Sequence, residues 1–196
     1  PLFALLCLFV QRGIFPFGEE SFLRTDLYHQ YAPFFSEFQY KLQHGGSLLY
    51  SWDIGLGVNF TAIYAYYLAS PLNWFVMLFP KRYVIEFVTL LIVIKTALSS
   101  VSMTYYLLRH SCRDGLFAPI FGILYAFSAY MAAYSWNVMW LDCIVLFPLI
   151  LLGTEEMVRG ESSMKYILCL GLSILSNYYI SIMICLFLVF YAVFQA

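Results

Sequence analysis

Charged residues are scarce in this chain. Only 11% of its 196 residues are Asp, Glu, Lys or Arg, whereas a typical soluble domain carries about 25%. Hydrophobic residues make up 63% of the sequence, and the mean hydropathy is +0.80. This small number of charges cannot cover a surface that faces water. Lipid must therefore cover most of the outside of the protein. The composition predicts a membrane protein with membrane lipids as its surroundings.

Several other features are missing, and each absence excludes a class of protein. The net charge of −1 provides no basic field, so we expect no nucleic-acid partner. The five cysteines are widely separated and form no CxxC pair, which argues against a structural zinc site or a disulfide framework. We therefore predict no metal site and no cofactor, although a requirement for a divalent metal is left open.

The chain begins with a short apolar segment at Pro1, without a Met or a basic leader region. Residues 1–10 are apolar but shorter than the ~20 residues that span a bilayer. No small-residue cleavage site follows, which argues against a signal peptide. We interpret this segment as the end of a first transmembrane helix, and the chain as an N-terminal fragment of a longer protein.

Four further apolar segments each have about the length that spans a bilayer. They cover residues 84–108, 116–134, 141–158 and 166–194. With the first segment they predict an all-α polytopic membrane protein with about five embedded helical segments. Residues 1–196 would form a single transmembrane domain, in which residues 11–83 are an outer loop and residues 84–196 contain four transmembrane helices.

The links between these segments predict the orientation. The basic links contain Arg109, Arg113, Arg159 and Lys165, whereas the link at residues 135–140 contains neither Lys nor Arg. Basic links usually lie in the cytoplasm. The link at residues 135–140 and the loop at residues 11–83 are therefore expected outside.

The orientation depends on residues 61–79, which are long enough to cross the membrane. A crossing would place residues 11–60 in the cytoplasm. Against this, Pro71 divides the stretch into halves of about 13 Å as helix, and its aromatic side chains suit the headgroup level. Charge counting alone leaves both topologies open.

A helix is predicted at residues 33–44, between Pro33 and a Gly-Gly pair. Its aromatic residues fall on one face, and Glu37 and Lys41 are spaced for an ion pair on another. Such a helix would lie in the membrane interface or pack against other parts of the protein. The sequence favours neither alternative.

Asp26 is the leading candidate for a catalytic residue. It lies in an aromatic stretch of the outer loop, close to His29 and Gln30, which could bind a substrate. A carboxylate beside the membrane could act as a general base toward a hydroxyl group. The alternatives are a solvated loop aspartate or a helix cap.

Polar residues within or beside the apolar segments are further candidates for substrate binding. Lys95 lies about 16 Å below the outer end of its helix, where it should face a partner, a cavity or a lipid phosphate. Asn177 reaches a similar depth from the other side. Asp142, after Asn137 at the outer mouth, could join Asp26 there or cap its own helix. Asn59 follows a Gly-Leu-Gly turn and could donate a hydrogen bond to a ligand.

Six short runs resemble the bacterial YfhO family of membrane proteins. In order, they cover residues 26–34, 44–51, 55–60, 66–73, 137–142 and 176–180, or DLYHQYAPF, HGGSLLYS, GLGVNF, YYLASPLN, NVMWLD and SNYYI. The family resembles GT-C membrane glycosyltransferases, which take a sugar from a polyprenyl-phosphate carrier outside the cytoplasmic membrane.

This resemblance implies a GT-C-like transmembrane helical bundle with juxtamembrane helices in the first outer loop. It also implies a multi-pass protein of the bacterial cytoplasmic membrane that glycosylates a cell-wall polymer such as lipoteichoic acid. An acidic residue in the first outer loop acts in catalysis in GT-C enzymes, and Asp26 occupies that place. The resemblance also favours a non-crossing segment at residues 61–79.

Two other classes of function remain open. In a lipid or polymer transporter, or flippase, Lys95 and Asn177 would line a path and Asp26 would act as a gate. Such a transporter should show inverted repeats, and none is found in the sequence. In a non-catalytic assembly subunit, replacing Asp26 with Asn would change nothing.

Overall fold

Helices dominate the structure, a computed structural model that describes residues 1–21, 23, 25–111 and 115–195. About 75% of it is helical, with almost no sheet. The α-helices are α1 (Leu2–Arg12), α2 (Ala32–His44), α3 (Phe60–Ile63), α4 (Val84–Ser111), α5 (Phe117–Ala126), α6 (Ala129–Tyr134), α7 (Leu141–Val158), α8 (Met164–Ser176) and α9 (Tyr178–Gln195). The antiparallel strands β1 (Tyr50–Ser51) and β2 (Val58–Asn59) form one hairpin.

Two helical stretches in the described ranges have the length and hydropathy to cross a membrane, Lys81–Ser111 and Phe117–Tyr134. Shorter apolar helices are Leu2–Arg12, Met164–Ser176 and Tyr178–Phe194.

Helix α4 packs against α5 and α7, and α7 packs against α8 and α9. At the junction of α7 and α8, a Cβ at Gly153 would lie 2.6 Å from the Tyr166 backbone nitrogen, so only glycine allows this approach. Of the basic residues used to predict orientation, Arg113 lies outside the described residues.

The apolar stretch at residues 166–194 is not one helix, as the sequence predicted, but two. Asn177 has an extended backbone (φ −160°, ψ 105°) that ends α8. Its side-chain Oδ1 accepts a hydrogen bond from the Ile180 backbone N–H at 3.0 Å, which caps the start of α9. Asparagine is among the best residues for this capping position. A hydropathy pattern does not register this break, because both flanks are equally apolar.

Residues 61–79 form three short pieces rather than one long helix. Helix α3 continues into a π-helical turn, Tyr64–Leu68, and a 3-10 helix follows at Pro71–Leu78. Ser70 is extended (ψ 131°), the backbone favoured before a proline. The predicted division at Pro71 is confirmed.

Helix α2 confirms the helix predicted at residues 33–44, and it ends at Gly45 in the left-handed conformation (φ 67°). Glu37 and Lys41 form the expected ion pair at 3.2 Å. Phe35 and Phe38 are fully buried, in contact with the rings of Phe87 and Trp74 respectively. Of the two alternatives for this helix, the structure therefore supports packing against the rest of the protein.

Helix α2 is also fixed to the 3-10 helix that follows residue 70. The buried Gln39 side chain donates hydrogen bonds to the carbonyls of Val76 (2.9 Å) and Phe79 (2.7 Å). The loop at residues 11–83 thus contains a packed layer of α2, the π-helical turn Tyr64–Leu68 and the 3-10 helix over the ends of α4 and α7.

Candidate functional site

Asp26 lies at the exposed start of a π-helical turn, Leu27–Tyr31, that runs directly into α2. Its side chain makes no capping hydrogen bond to that turn, although capping was one of the alternatives left open by the sequence. An aspartate that does not cap a helix keeps both carboxylate oxygens available for other partners. Asp26 therefore stands as a solvent-accessible carboxylate beside a buried aromatic layer.

Two tyrosines lie close to the Asp26 carboxylate. Burial raises the pKa of Tyr31 above its ordinary value, and neighbouring tyrosines and Asp26 add to the effect. Burial and Tyr66 raise the pKa of Tyr67, again with a contribution from Asp26. Both phenols therefore remain protonated at neutral pH. In this state they donate hydrogen bonds.

Tyr31 is the residue that sequence reasoning missed. Its ring is 1% exposed and packs edge-on against the Tyr67 ring, with centroids 5.5 Å apart. Its hydroxyl donates to the side-chain Oδ1 of Asn137 at 2.9 Å, across 106 residues of sequence. The only signal was its place in the run DLYHQYAPF, where it is one of many aromatic residues.

The other candidates near Asp26 have different surroundings. The Gln30 side-chain Oε1 accepts a hydrogen bond from the Tyr67 hydroxyl at 3.3 Å, so Gln30 belongs to the same cluster. His29 is exposed and lies edge-on to the Tyr28 ring, at 5.3 Å. Asn59 lies at the end of the β-hairpin, where its Oδ1 accepts a hydrogen bond from the Ala62 backbone N–H at 3.4 Å and caps α3.

Lys95 and Asp142 form a buried ion pair. The Lys95 Nζ lies 2.6 Å from Asp142 Oδ2 and donates a second hydrogen bond to the Val138 carbonyl at 3.0 Å. The other carboxylate oxygen of Asp142, Oδ1, accepts a hydrogen bond from the Ser70 hydroxyl at 2.9 Å. The sequence left a protein partner, a cavity or a lipid phosphate open for Lys95, and the structure shows a protein partner. Because Lys95 is fully buried, a direct contact with a lipid phosphate would require this pair to open.

The two asparagines make long-range contacts. The Asn177 Nδ2 donates to the Tyr66 carbonyl at 3.2 Å, which attaches the break between α8 and α9 to the loop at residues 11–83. Asn137 is 4% exposed, and its Nδ2 has no hydrogen-bond partner within the described part of the chain. A buried amide without a partner is uncommon. It is therefore an unsatisfied donor next to Tyr31, and a ligand would reach it only if the surrounding side chains moved.

The contacts bring four of the six family-like runs together. Tyr31 joins the first run to Asn137 of the fifth, and Ser70 joins the fourth run to Asp142 of the fifth. Asn177 joins the last run to Tyr66 of the fourth. No group of three or more His, Cys, Asp or Glu side chains that could hold a metal occurs among the described residues.

A model of a known protein family matches this chain. The family model described as "Bacterial membrane protein YfhO" matches residues 1–196, the whole chain. No curated protein and no solved structure matches the chain.

Proposed function

Because the chain belongs to the YfhO family of bacterial membrane proteins, we propose that it is a GT-C-type membrane glycosyltransferase. It transfers a sugar from a polyprenyl-phosphate carrier to a hydroxyl group of an extracytoplasmic cell-wall polymer such as lipoteichoic acid. The observation that carries this proposal is the exposed, uncapped Asp26 carboxylate beside a buried polar cluster built from distant parts of the chain.

Asp26 acts as the general base in an inverting displacement. The acceptor oxygen attacks the anomeric carbon of the donor sugar while its proton passes to the Asp26 carboxylate. The bond between that carbon and the carrier phosphate breaks, and the phosphate leaves with the electron pair. General-base catalysis of this kind typically contributes 10²–10⁴-fold in rate.

The leaving phosphate needs a cation to offset its charge. Lys81 and Arg82 are exposed at the start of the stretch that leads into α4, and basic residues at this level attract lipid phosphates. We assign them to the carrier phosphate in preference to Lys95, whose ammonium group already contacts Asp142 and Val138.

The donor sugar and the acceptor polymer would bind near Asp26, where several side chains can form hydrogen bonds with them. The free Nδ2 of Asn137 is suited to a sugar hydroxyl. Gln30 and His29 lie about one turn from Asp26 in the same π-helical turn, where His29 is exposed and Gln30 is half-buried. Asn177 contributes by holding Tyr66 and its neighbour Tyr67 in place.

The proposal requires the outer loop to lie outside the cytoplasm. Ser47 precedes α4 and Ser111 is its last residue, and both are exposed. In a chain with its five cysteines replaced by serine, Ser47→Cys should react with a membrane-impermeant thiol reagent added to intact cells. Ser111→Cys should react only after the cells are opened. Labelling of Ser111→Cys and protection of Ser47→Cys in intact cells would contradict the extracytoplasmic site.

The function itself is tested by the sugar content of the cell wall. Cells that lack this protein should lose one sugar substituent from a cell-wall polymer, and a plasmid-borne wild-type gene should restore it. The measurement is a compositional analysis of purified wall polymers, including lipoteichoic acid. An unchanged sugar composition together with an altered distribution of lipid or polymer across the membrane would instead support a transporter.

A further inference from the structure

We propose that the Lys95–Asp142 ion pair positions the catalytic carboxylate of Asp26 from inside the helical bundle. This inference rests on the function proposed above and adds a role for two residues that do not touch the substrate. Its basis is that two separate chains of contacts connect the Asp142 carboxylate oxygens to Tyr31. One chain ends at the Tyr31 hydroxyl and the other ends at its ring.

The first path runs through the link between α6 and α7. Asp142 Oδ2 holds the Lys95 ammonium at 2.6 Å, and Lys95 donates to the Val138 carbonyl at 3.0 Å. Val138 is fully buried, so this contact fixes the backbone of the link. The adjacent Asn137 then accepts the Tyr31 hydroxyl at 2.9 Å.

The second path runs through the outer loop. Asp142 Oδ1 accepts a hydrogen bond from the Ser70 hydroxyl at 2.9 Å. This bond fixes Ser70, the extended residue between the π-helical turn Tyr64–Leu68 and the 3-10 helix. Tyr67, three residues earlier, packs against Tyr31 at 5.5 Å and donates to Gln30 at 3.3 Å. Both paths therefore converge on the turn Leu27–Tyr31.

Among the described residues, that turn is the regular structure that follows Asp26 directly, and Asp26 makes no capping bond to it. The position of the carboxylate therefore depends on where the Leu27–Tyr31 turn is held. A displacement of about 1 Å at a reacting group can reduce the rate about 10²-fold.

A buried ion pair suits this role better than a neutral contact. Replacing such a pair with apolar residues is often neutral or favourable for stability, so stability alone is weak grounds for its presence. The pair restricts geometry, because a carboxylate that binds an ammonium group and a hydroxyl at the same time can adopt few orientations. Lys95 has no exposed surface for a ligand, which is consistent with a positioning role.

The test removes both charges together, so that no unpaired charge remains in the interior. In the purified protein, Lys95→Met/Asp142→Asn should keep a thermal midpoint close to that of the wild type and an unchanged KM for the polyprenyl-phosphate sugar. Its kcat should fall by about 10²-fold. Tyr31→Phe should also lower kcat, and adding it to the double variant should lower kcat no further, because both changes interrupt the first path, which ends at the Tyr31 hydroxyl.

Tyr106→Phe is the matched control. It removes a buried hydroxyl that donates to Glu155 at 2.9 Å, also between α4 and α7 but far along α4 from Lys95, and it should leave kcat unchanged. An unchanged kcat in the double variant would overturn the positioning role. A raised donor KM with retained kcat would also overturn it, because Lys95 would then contact the carrier directly.

A second measurement does not depend on sugar transfer. Spin labels at the exposed positions Tyr28 and Leu90 report the distance from the Asp26 turn to α4. In a cysteine-free background, the double variant and Tyr31→Phe should both broaden this distance distribution, whereas Tyr106→Phe should not. If the wild-type protein transfers no sugar but the distribution broadens, the proposed function fails and the structural coupling stands. An unchanged distribution would contradict the coupling itself.

Discussion

Asp26→Asn should reduce sugar transfer by about 10²–10⁴-fold while the protein is produced and inserted normally. The substitution keeps the shape of the side chain but removes its ability to accept a proton. Because Asp26 is exposed and caps no helix, Asp26→Asn removes no capping hydrogen bond, and a loss of activity would not reflect a lost helix cap. The measurement is the initial rate of transfer at saturating donor, with the thermal midpoint measured in parallel.

Two acids in the same loop serve as controls for this prediction. Glu20 and Asp53 are exposed, and Glu20→Gln and Asp53→Asn should retain most of the activity. A near wild-type rate in Asp26→Asn would show that Asp26 is not the base. Equal losses in all three variants would point to the charge of the loop instead of proton transfer.

Lys95→Met should destabilise the protein by about 3–5 kcal/mol, because it leaves the buried Asp142 carboxylate without its counter-ion. Among the described residues, the Ser70 hydroxyl would remain as a hydrogen-bond donor to that carboxylate. The measurement is the free energy of unfolding in mixed detergent micelles. Adding Asp142→Asn to Lys95→Met should recover most of the loss, because the unpaired charge is then gone.

A partly exposed ion pair provides the comparison. Lys165 and Glu156 lie 2.5 Å apart, with side-chain exposures of 28% and 18%. Lys165→Met should cost only about 0–1 kcal/mol, the usual range for pairs that water can reach. Equal effects of Lys95→Met and Lys165→Met would show that burial of the Lys95–Asp142 pair contributes little to stability.

Local features of the fold were predictable from the sequence. The start and stop of α2, its Glu37–Lys41 pair and the division at Pro71 all follow from residues within a few positions of one another. Proline geometry and helical spacing act over such short distances, so a sequence pattern records them directly.

Contacts between distant residues were not predictable in the same way. The burial of Lys95 implied a partner, but no local pattern selects Asp142, 47 residues away. Asn177 was expected inside a helix because its flanks are apolar on both sides, whereas its extended backbone ends α8 and its side chain caps the start of α9. Tyr31 was missed because its role depends on Asn137, 106 residues away.

The central claim is the transfer of sugar from a lipid carrier, and its most direct test uses the purified protein in lipid vesicles. A polyprenyl-phosphate donor with a radiolabelled sugar is supplied together with isolated lipoteichoic acid. The account predicts that label moves to the polymer with the wild-type protein and is almost absent with Asp26→Asn. Equal transfer by the two proteins, or no transfer by the wild type from a panel of polyprenyl-phosphate sugars, would contradict it.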